Sequence, residues 1–336
     1  TPIAKQAPIA NVEQGTVPTS GWKAVPLASL PTIYCLERTH IHVDDSHSNV
    51  ADRISECMRK ESILAVFHKD ENLIDAETSD GIQFSIRLWE GKNGAVLVEA
   101  QKVSGCCYSY CQAAKAILRA AKGIRAPPKR RTFSIPPSVP RVSAEEAEAA
   151  TRDGLELAKG LWMKQQLDSQ LLAIESLMHL SRATENQCFT AKCILSGEFR
   201  GKLLNLIESF STDSNRSEIE EEYMTIMRRH AFTILSNCFA ALERSGELSS
   251  LLRQQADLTS DAVVEGLVGE LASAAERPHD ACQAAHCLRS LLAASVDMQR
   301  KAAELNAIET ISAVRLIGAC RHASLEDACT QLRTLL

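Results

Sequence analysis

Aromatic residues are scarce: Phe, Trp and Tyr together make up 4% of the 336 residues. Leu, Ala and Ile must therefore fill the cores, which suits helices packed closely on helices. No apolar run reaches the roughly 20 residues that a membrane-spanning helix needs, and no secretory signal pattern is present. The 12 cysteines form no small secreted framework. They are scattered through apolar helical stretches, where Cys188, Cys193, Cys238, Cys282, Cys287, Cys320 and Cys329 read as small core residues. A reducing compartment, cytoplasmic or nuclear, is the expectation. The chain starts at Thr1 rather than Met, so a processed product or a piece of a longer protein is expected. No residue set names a reaction: the glycine loop, catalytic Asp loop and magnesium-binding triplet of protein kinases are all missing.

The second half contains an internal repeat. Ala173, Leu177 and Leu180 stand at a spacing that returns at Ala284, Leu288 and Leu291, and again at Ala328, Leu332 and Leu335. A partial copy holds Ala231, Leu235 and Cys238. Three of the four are followed by a turn and a new apolar run, at Ser196-Gly197-Glu198-Phe199, Ser245-Gly246-Glu247-Leu248 and Leu305-Asn306-Ala307-Ile308. Self-similarity of this kind marks stacked helical units that cannot bury their apolar faces alone.

The net charge of −5 conceals a split. Through residue 142 there are 18 basic and 14 acidic residues, and after it 19 and 28. From Lys115 to Arg141 there are eight basic residues and no acidic one.

Four segments follow from these patterns. Residues 1–31 carry five prolines and no apolar period, and read as a disordered arm. Trp22 either docks on the following domain or stays in solvent. Residues 32–123 read as a small α+β domain. A strand is expected over Ile33–Val43, a helix over Asn49–Lys60, strands over Ile63–His68, Leu73–Thr78, Ile82–Trp89 and Ala95–Val103, and a closing helix over Cys107–Lys122. Residues 124–142 form a basic, proline-rich linker. Ser143 with Glu146 is a capping box, and residues 143–336 are helical throughout. Ser217–Glu222 reads as a helix start, Ser217 capping with Glu220 at the third position, or alternatively as an acidic docking surface.

The Ala-x3-Leu units resemble armadillo repeats. The match is best over Asp297–Leu316, with Asn306 where the family has Gly, and Leu235-Ser236-Asn237 is similar to the groove-lining third helix of that family. The resemblance covers about residues 160–336 and implies an armadillo-like solenoid that holds a protein partner in a groove. The Trp-plus-Asn ladder by which importins grip basic peptides is absent, apart from Asn237. A second resemblance is carried by Val96–Val103, Ser104-Gly105 and the helix opening with Tyr108 and Tyr110. It is similar to the end of a kinase-associated C-terminal domain, which implies a small antiparallel sheet that binds anionic phospholipid or folds back on a kinase.

The fold class expected is thus a small antiparallel-sheet α+β domain followed by an all-α armadillo-like solenoid, and the function expected is that of a non-enzymatic scaffold or adaptor. Lys115, Arg119, Lys122, Arg125, Lys129, Arg130 and Arg131 are candidates for binding an anionic membrane or protein. A solvated linker is the bland alternative, and nucleic acid fits less well because only Phe133 interleaves with the charges. Arg228, Arg229, Asn237, His286 and Arg289 are candidates for exposed partner contacts near the groove. Ser134, three residues after Arg131, is a candidate phosphorylation site. Two other classes remain: the regulatory part of a kinase whose catalytic domain precedes Thr1, and a thiol enzyme using Cys106 at a helix N-terminus. No cofactor is expected. Cys106, Cys107 and Cys111 with His40 and His42 are a poor zinc set, and Asp44, Asp45 and His47 read as a capped polar turn rather than a cation site. A fold-back of the basic linker on the acidic repeat half is also open.

Overall fold

The computed structural model describes residue 22 and residues 26–68, 71–124, 143–182, 186–208 and 217–336. Five strands make one antiparallel sheet: β1 (His40–Val43), β2 (Leu64–His68), β3 (Leu73–Glu77), β4 (Gln83–Glu90) and β5 (Val96–Ser104), in the order β1-β5-β4-β3-β2. The period of two is clear in the two central strands. Phe84, Ile86 and Leu88 on β4 and Val96, Val98 and Ala100 on β5 are buried on one face. Their register pairs Ile86 with Ala100 and Leu88 with Val98. Helices α1 (His47–Lys60) and α2 (Cys107–Ala121) cover that face with Val50, Ile54 and Met58, and with Tyr110, Ala114 and Ile117. Arg53 ties the two helices, its guanidinium donating to the carbonyl of Ala121 at 3.0 and 2.7 Å. Gly105 ends β5 at φ +92, and its α-carbon faces Ile82 so closely that a Cβ would stand 3.0 Å from the Ile82 backbone.

The expected order of strand, helix, four strands and helix is present. Most bounds shift by only one or two residues, and two differ more. The first strand is only four residues long, because the segment before it turns and bends instead of pairing. The arm expected over residues 1–31 joins the sheet domain at its end. Trp22 is buried 6.4 Å from the Phe67 ring, the Glu90 amide donates to the Ala28 carbonyl, and Ser29 bridges to Glu90. The chain there is irregular, so its attachment leaves no periodic trace.

The second half is helical: α3 (Ala144–Trp162), α4 (Leu167–Arg182), α5 (Gln187–Ser196), α6 (Phe199–Glu208), α7 (Glu218–Arg244), α8 (Leu248–Gln254), α9 (Asp261–Ala272), α10 (Pro278–Ala294), α11 (Val296–Glu304), α12 (Ala307–Arg321) and α13 (Ala323–Arg333). Capping boxes start α3 at Ser143 and α7 at Ser217. The repeated Ala and Leu positions fall on α4, α7, α10 and α13, which is every third helix, with Leu335 just past the end of α13. Each packs on the next of the four, and α9 likewise packs between α6 and α12. Ala173, Ala231, Ala284 and Ala328 are all fully buried, so the small residue lets neighbouring helices approach while the Leu one turn on fills the space beside it.

The turns are less regular than the repeat. Asn306 adopts the left-handed conformation (φ 54) between α11 and α12, a state that Asn tolerates better than most residues. Gly197 lies at the corresponding α5–α6 junction but is extended. Ser245-Gly246 joins α7 to α8, a different junction from the other two, because α8 is short and is followed by a single 3-10 turn, Ala256–Thr259.

Candidate interaction surfaces

Successive turns of α2 place Lys115, Arg119 and Lys122 on one outer stripe. Arg38, just before β1, reaches the same place. These four cations rim a hollow of about 330 Å3 whose floor is Ile41, Leu118 and Ile124, with Cys111 at one side. No carboxylate lines it, and none of the four cationic side chains has an ion partner among the described residues. Arg38 was not legible as part of the patch, since it is distant in sequence. Arg125, Lys129, Arg130, Arg131 and Ser134 lie outside the described residues, as does the proposed fold-back of the linker.

The five groove candidates are drawn into contacts within the protein. Arg228 is turned toward α9, where it meets the buried carboxylate of Glu270 at 2.8 Å. Arg229 donates to Asp280 at 2.9 Å and also pairs with Glu77 at the end of β3. Asn237 donates to Ser181 at 3.0 Å, linking α7 to α4. Arg289 bonds Glu243 at 3.2 Å. His286 is half-buried, and burial followed by the nearby Arg289 lowers its imidazole pKa. Arg228 and Arg229 are thus not the exposed contacts expected: both side chains are mostly covered and paired with acids, a desolvated position that only paired cations occupy cheaply.

The reason is a seam between the two halves. Besides the Glu77–Arg229 pair, Asp80 in the β3–β4 turn meets Arg182 of α4 at 3.0 Å. On the other side, Ser62 donates to the Ser324 hydroxyl at 2.9 Å and accepts the Ser324 amide at 3.0 Å. Arg59 faces Glu326 at 3.6 Å and the Ala319 carbonyl at 3.4 Å. Between these, His279 and His322 are buried against one another with ring nitrogens 2.9 Å apart. Apart from Arg229, expected as an exposed contact, sequence reasoning singled out none of these seam residues. Nothing in the local pattern of an isolated Ser, Arg or His reports a contact some 260 positions away.

Where the β3–β4 turn bridges α4 and α7 it leaves a cleft of about 620 Å3. Six carboxylates line it: Glu77, Asp80, Glu175, Glu218, Glu221 and Glu222. Of the two basic residues in its wall, Arg229 is already paired. The other, His230, is pushed down to about 4 by burial and then by Arg229 and Arg182. The first turn of α7 is the capped helix start expected, and its carboxylates face this cleft.

The cysteines divide by depth. Cys238, Cys282, Cys287 and Cys329 are buried, and burial raises each thiol pKa. Cys188, Cys193 and Cys320 are only half-buried. Cys106 is exposed at the N-cap of α2, where the amides of Ser109 and Tyr108 lower its pKa. The Ser109 hydroxyl and the Lys102 charge act in the same direction. Asp45 is held down to about 2 by Arg53, Asn49 and the Ser46 amide, which accounts for that polar turn.

No helix among the described residues is long and apolar enough to cross a membrane. No protein-family model, curated protein or solved structure matches the chain at a significant level, so its role rests on these surfaces.

Proposed function

We propose that the chain is a non-enzymatic interaction protein. Its helical half is an armadillo-like stack, and the face formed by α4 and α7, walled by the β3–β4 turn, receives a lysine- or arginine-rich segment of a partner protein. The observation that carries this reading is the cleft itself: a concavity of about 620 Å3 with six carboxylates and no unpaired arginine in its wall. A low-dielectric wall focuses such a field and favours a cationic ligand. The packing of every third helix on the next supports the repeat architecture, since that is how stacked triplets bury a shared core. Cross-linking of the full chain in its native extract, with mapping of the linked residues, tests the reading. Partners are expected to link to α4 and α7 and to be lost in the Glu218→Lys/Glu221→Lys/Glu222→Lys variant. Links confined to α3 or α12, or unaffected by charge reversal, overturn it.

The hollow on α2 supports a second role, attachment to an anionic surface. Four cations around an apolar floor suit a negatively charged head on an apolar body, each contributing on the order of 1 kcal/mol near an anionic leaflet. Sedimentation with phosphatidylserine vesicles is expected to fall with added salt and on Arg38→Gln/Lys115→Gln/Arg119→Gln. Binding indifferent to both removes this role.

A further inference from the structure

His279 lies in the first turn of α10 and His322 in the joint between α12 and α13. They are 3% and 1% exposed, close to sealed. The order of their hydrogen bonds fixes their protons. The backbone N–H of Leu325 can only donate, and it donates to Nδ1 of His322 at 3.1 Å. A neutral His322 therefore carries its proton on Nε2, which stands 2.9 Å from Nδ1 of His279. That nitrogen must accept, so the proton of His279 is on Nε2, 3.2 Å from the carbonyl of Glu77. One line of hydrogen bonds thus runs from α13 through both rings into the end of β3, with every donor used once and both rings neutral.

We propose that the His322–His279 line is an acid-operated latch: a proton taken up by either ring breaks the line and releases the β3–β4 turn from the helices beneath it. A second proton on His322 would sit on Nδ1 and face the Leu325 N–H, removing the acceptor that starts α13. A second proton on His279 would sit on Nδ1 and face the Nε2–H of His322. Among the described residues the carboxylates near the pair are already engaged, and Asp80 alone favours a charge on His279. On α7, Arg229 repels it. On α10, Asp280 is bonded to Arg229, and His286 offers no negative charge. In the turn, Glu77 is paired with Arg229 and Asp80 with Arg182. At the far side of the seam, Glu326 faces Arg59.

Burial is the largest cause and lowers the rings to about 4 for His279 and about 3 for His322. In an opened seam both would titrate near the ordinary value of ~6.5. Below that pH the opened form binds more protons, so acid favours opening by up to about tenfold per pH unit for each ring, until the closed-state values are reached. Above it the latch is at full strength. Asp280 acts in the opposite sense, because burial raises its carboxyl pKa. Opening would uncover Arg182 and Arg229 and remove one wall of the acidic cleft. The latch stands whatever partner that cleft receives.

Hydrogen exchange of the full chain at pH 7 and pH 5, corrected for intrinsic rates, tests this. Protection at Ser324 and Leu325 is expected to fall by about tenfold or more relative to β4 and β5 as pH drops. In the His279→Gln/His322→Asn variant, which keeps the donor to Glu77 and the acceptor for Leu325, it is expected to stay level. An unchanged wild type, or an equal fall in the variant, overturns the proposal. Should the variant not fold, long-range nitrogen–proton spectra of the wild-type imidazoles decide: both rings protonated on Nε2 alone at pH 7 support the latch, and an Nδ1–H on His322 ends it.

Discussion

Arg228 reaches from α7 to within 2.8 Å of Glu270 on α9, and Arg277 closes on the same carboxylate at 2.9 Å from the other side. Glu270 is fully buried. Neutralising it would leave two guanidinium groups without the carboxylate that joins them. Glu270→Gln is therefore expected to cost roughly 3–5 kcal/mol in urea unfolding with little change in slope. Arg277→Ala should cost about 1 kcal/mol, because its side chain is 31% exposed and Glu270 keeps Arg228.

The joint between α12 and α13 is a close crossing. A Cβ at Gly318 would lie 2.5 Å from the backbone nitrogen of Glu326, whereas one at Gly160 on α3 meets nothing within 4 Å. The same substitution should thus have opposite signs. Gly318→Ala is expected to destabilise by about 1–3 kcal/mol through overpacking, and Gly160→Ala to stabilise by about 0.5–1 kcal/mol through helix propensity. Paired denaturation curves measure both.

Thiol labelling should follow depth and helix position. At neutral pH Cys106 is expected to react first, since it is exposed and the Ser109 and Tyr108 amides lower its pKa. Cys238, Cys282, Cys287 and Cys329 should react only on unfolding. Mass-resolved iodoacetamide time courses read this directly. Fast reaction at Cys106 would not signal a thiol enzyme, because two backbone amides suffice to explain it.

Trp22 is the anchor of the segment before β1. Its burial beside Phe67 predicts a blue-shifted emission component. Trp22→Ala should cost about 3 kcal/mol by emptying that pocket. Equal stability of wild type and variant would show that the ring contributes nothing to the sheet domain.

Much of the local structure was legible. The alternation of Phe84, Ile86 and Leu88, the Ser143 and Ser217 capping boxes and the Ala-to-Leu spacing each reflect a local rule, so each could be read from neighbours in sequence. The hollow on α2 was half legible: Lys115, Arg119 and Lys122 share a helical stripe, while Arg38 joins only through the sheet. The seam was not legible at all. Arg229 was expected at a surface because arginine usually is, and Glu77 covers it only once β3 is brought over α7. Buried histidines give no periodic signal, and their proton positions exist only as consequences of the bonds around them.

The tie between Ser62 and Ser324 fixes more than a contact. It anchors the end of α1 to the joint before the last helix, while Asp80 on the same sheet holds Arg182 on α4. The sheet domain thus straddles the helical half, fastened at α4 and again at the joint between α12 and α13. Whatever loosens one of these fastenings therefore leaves the other to hold the two halves together.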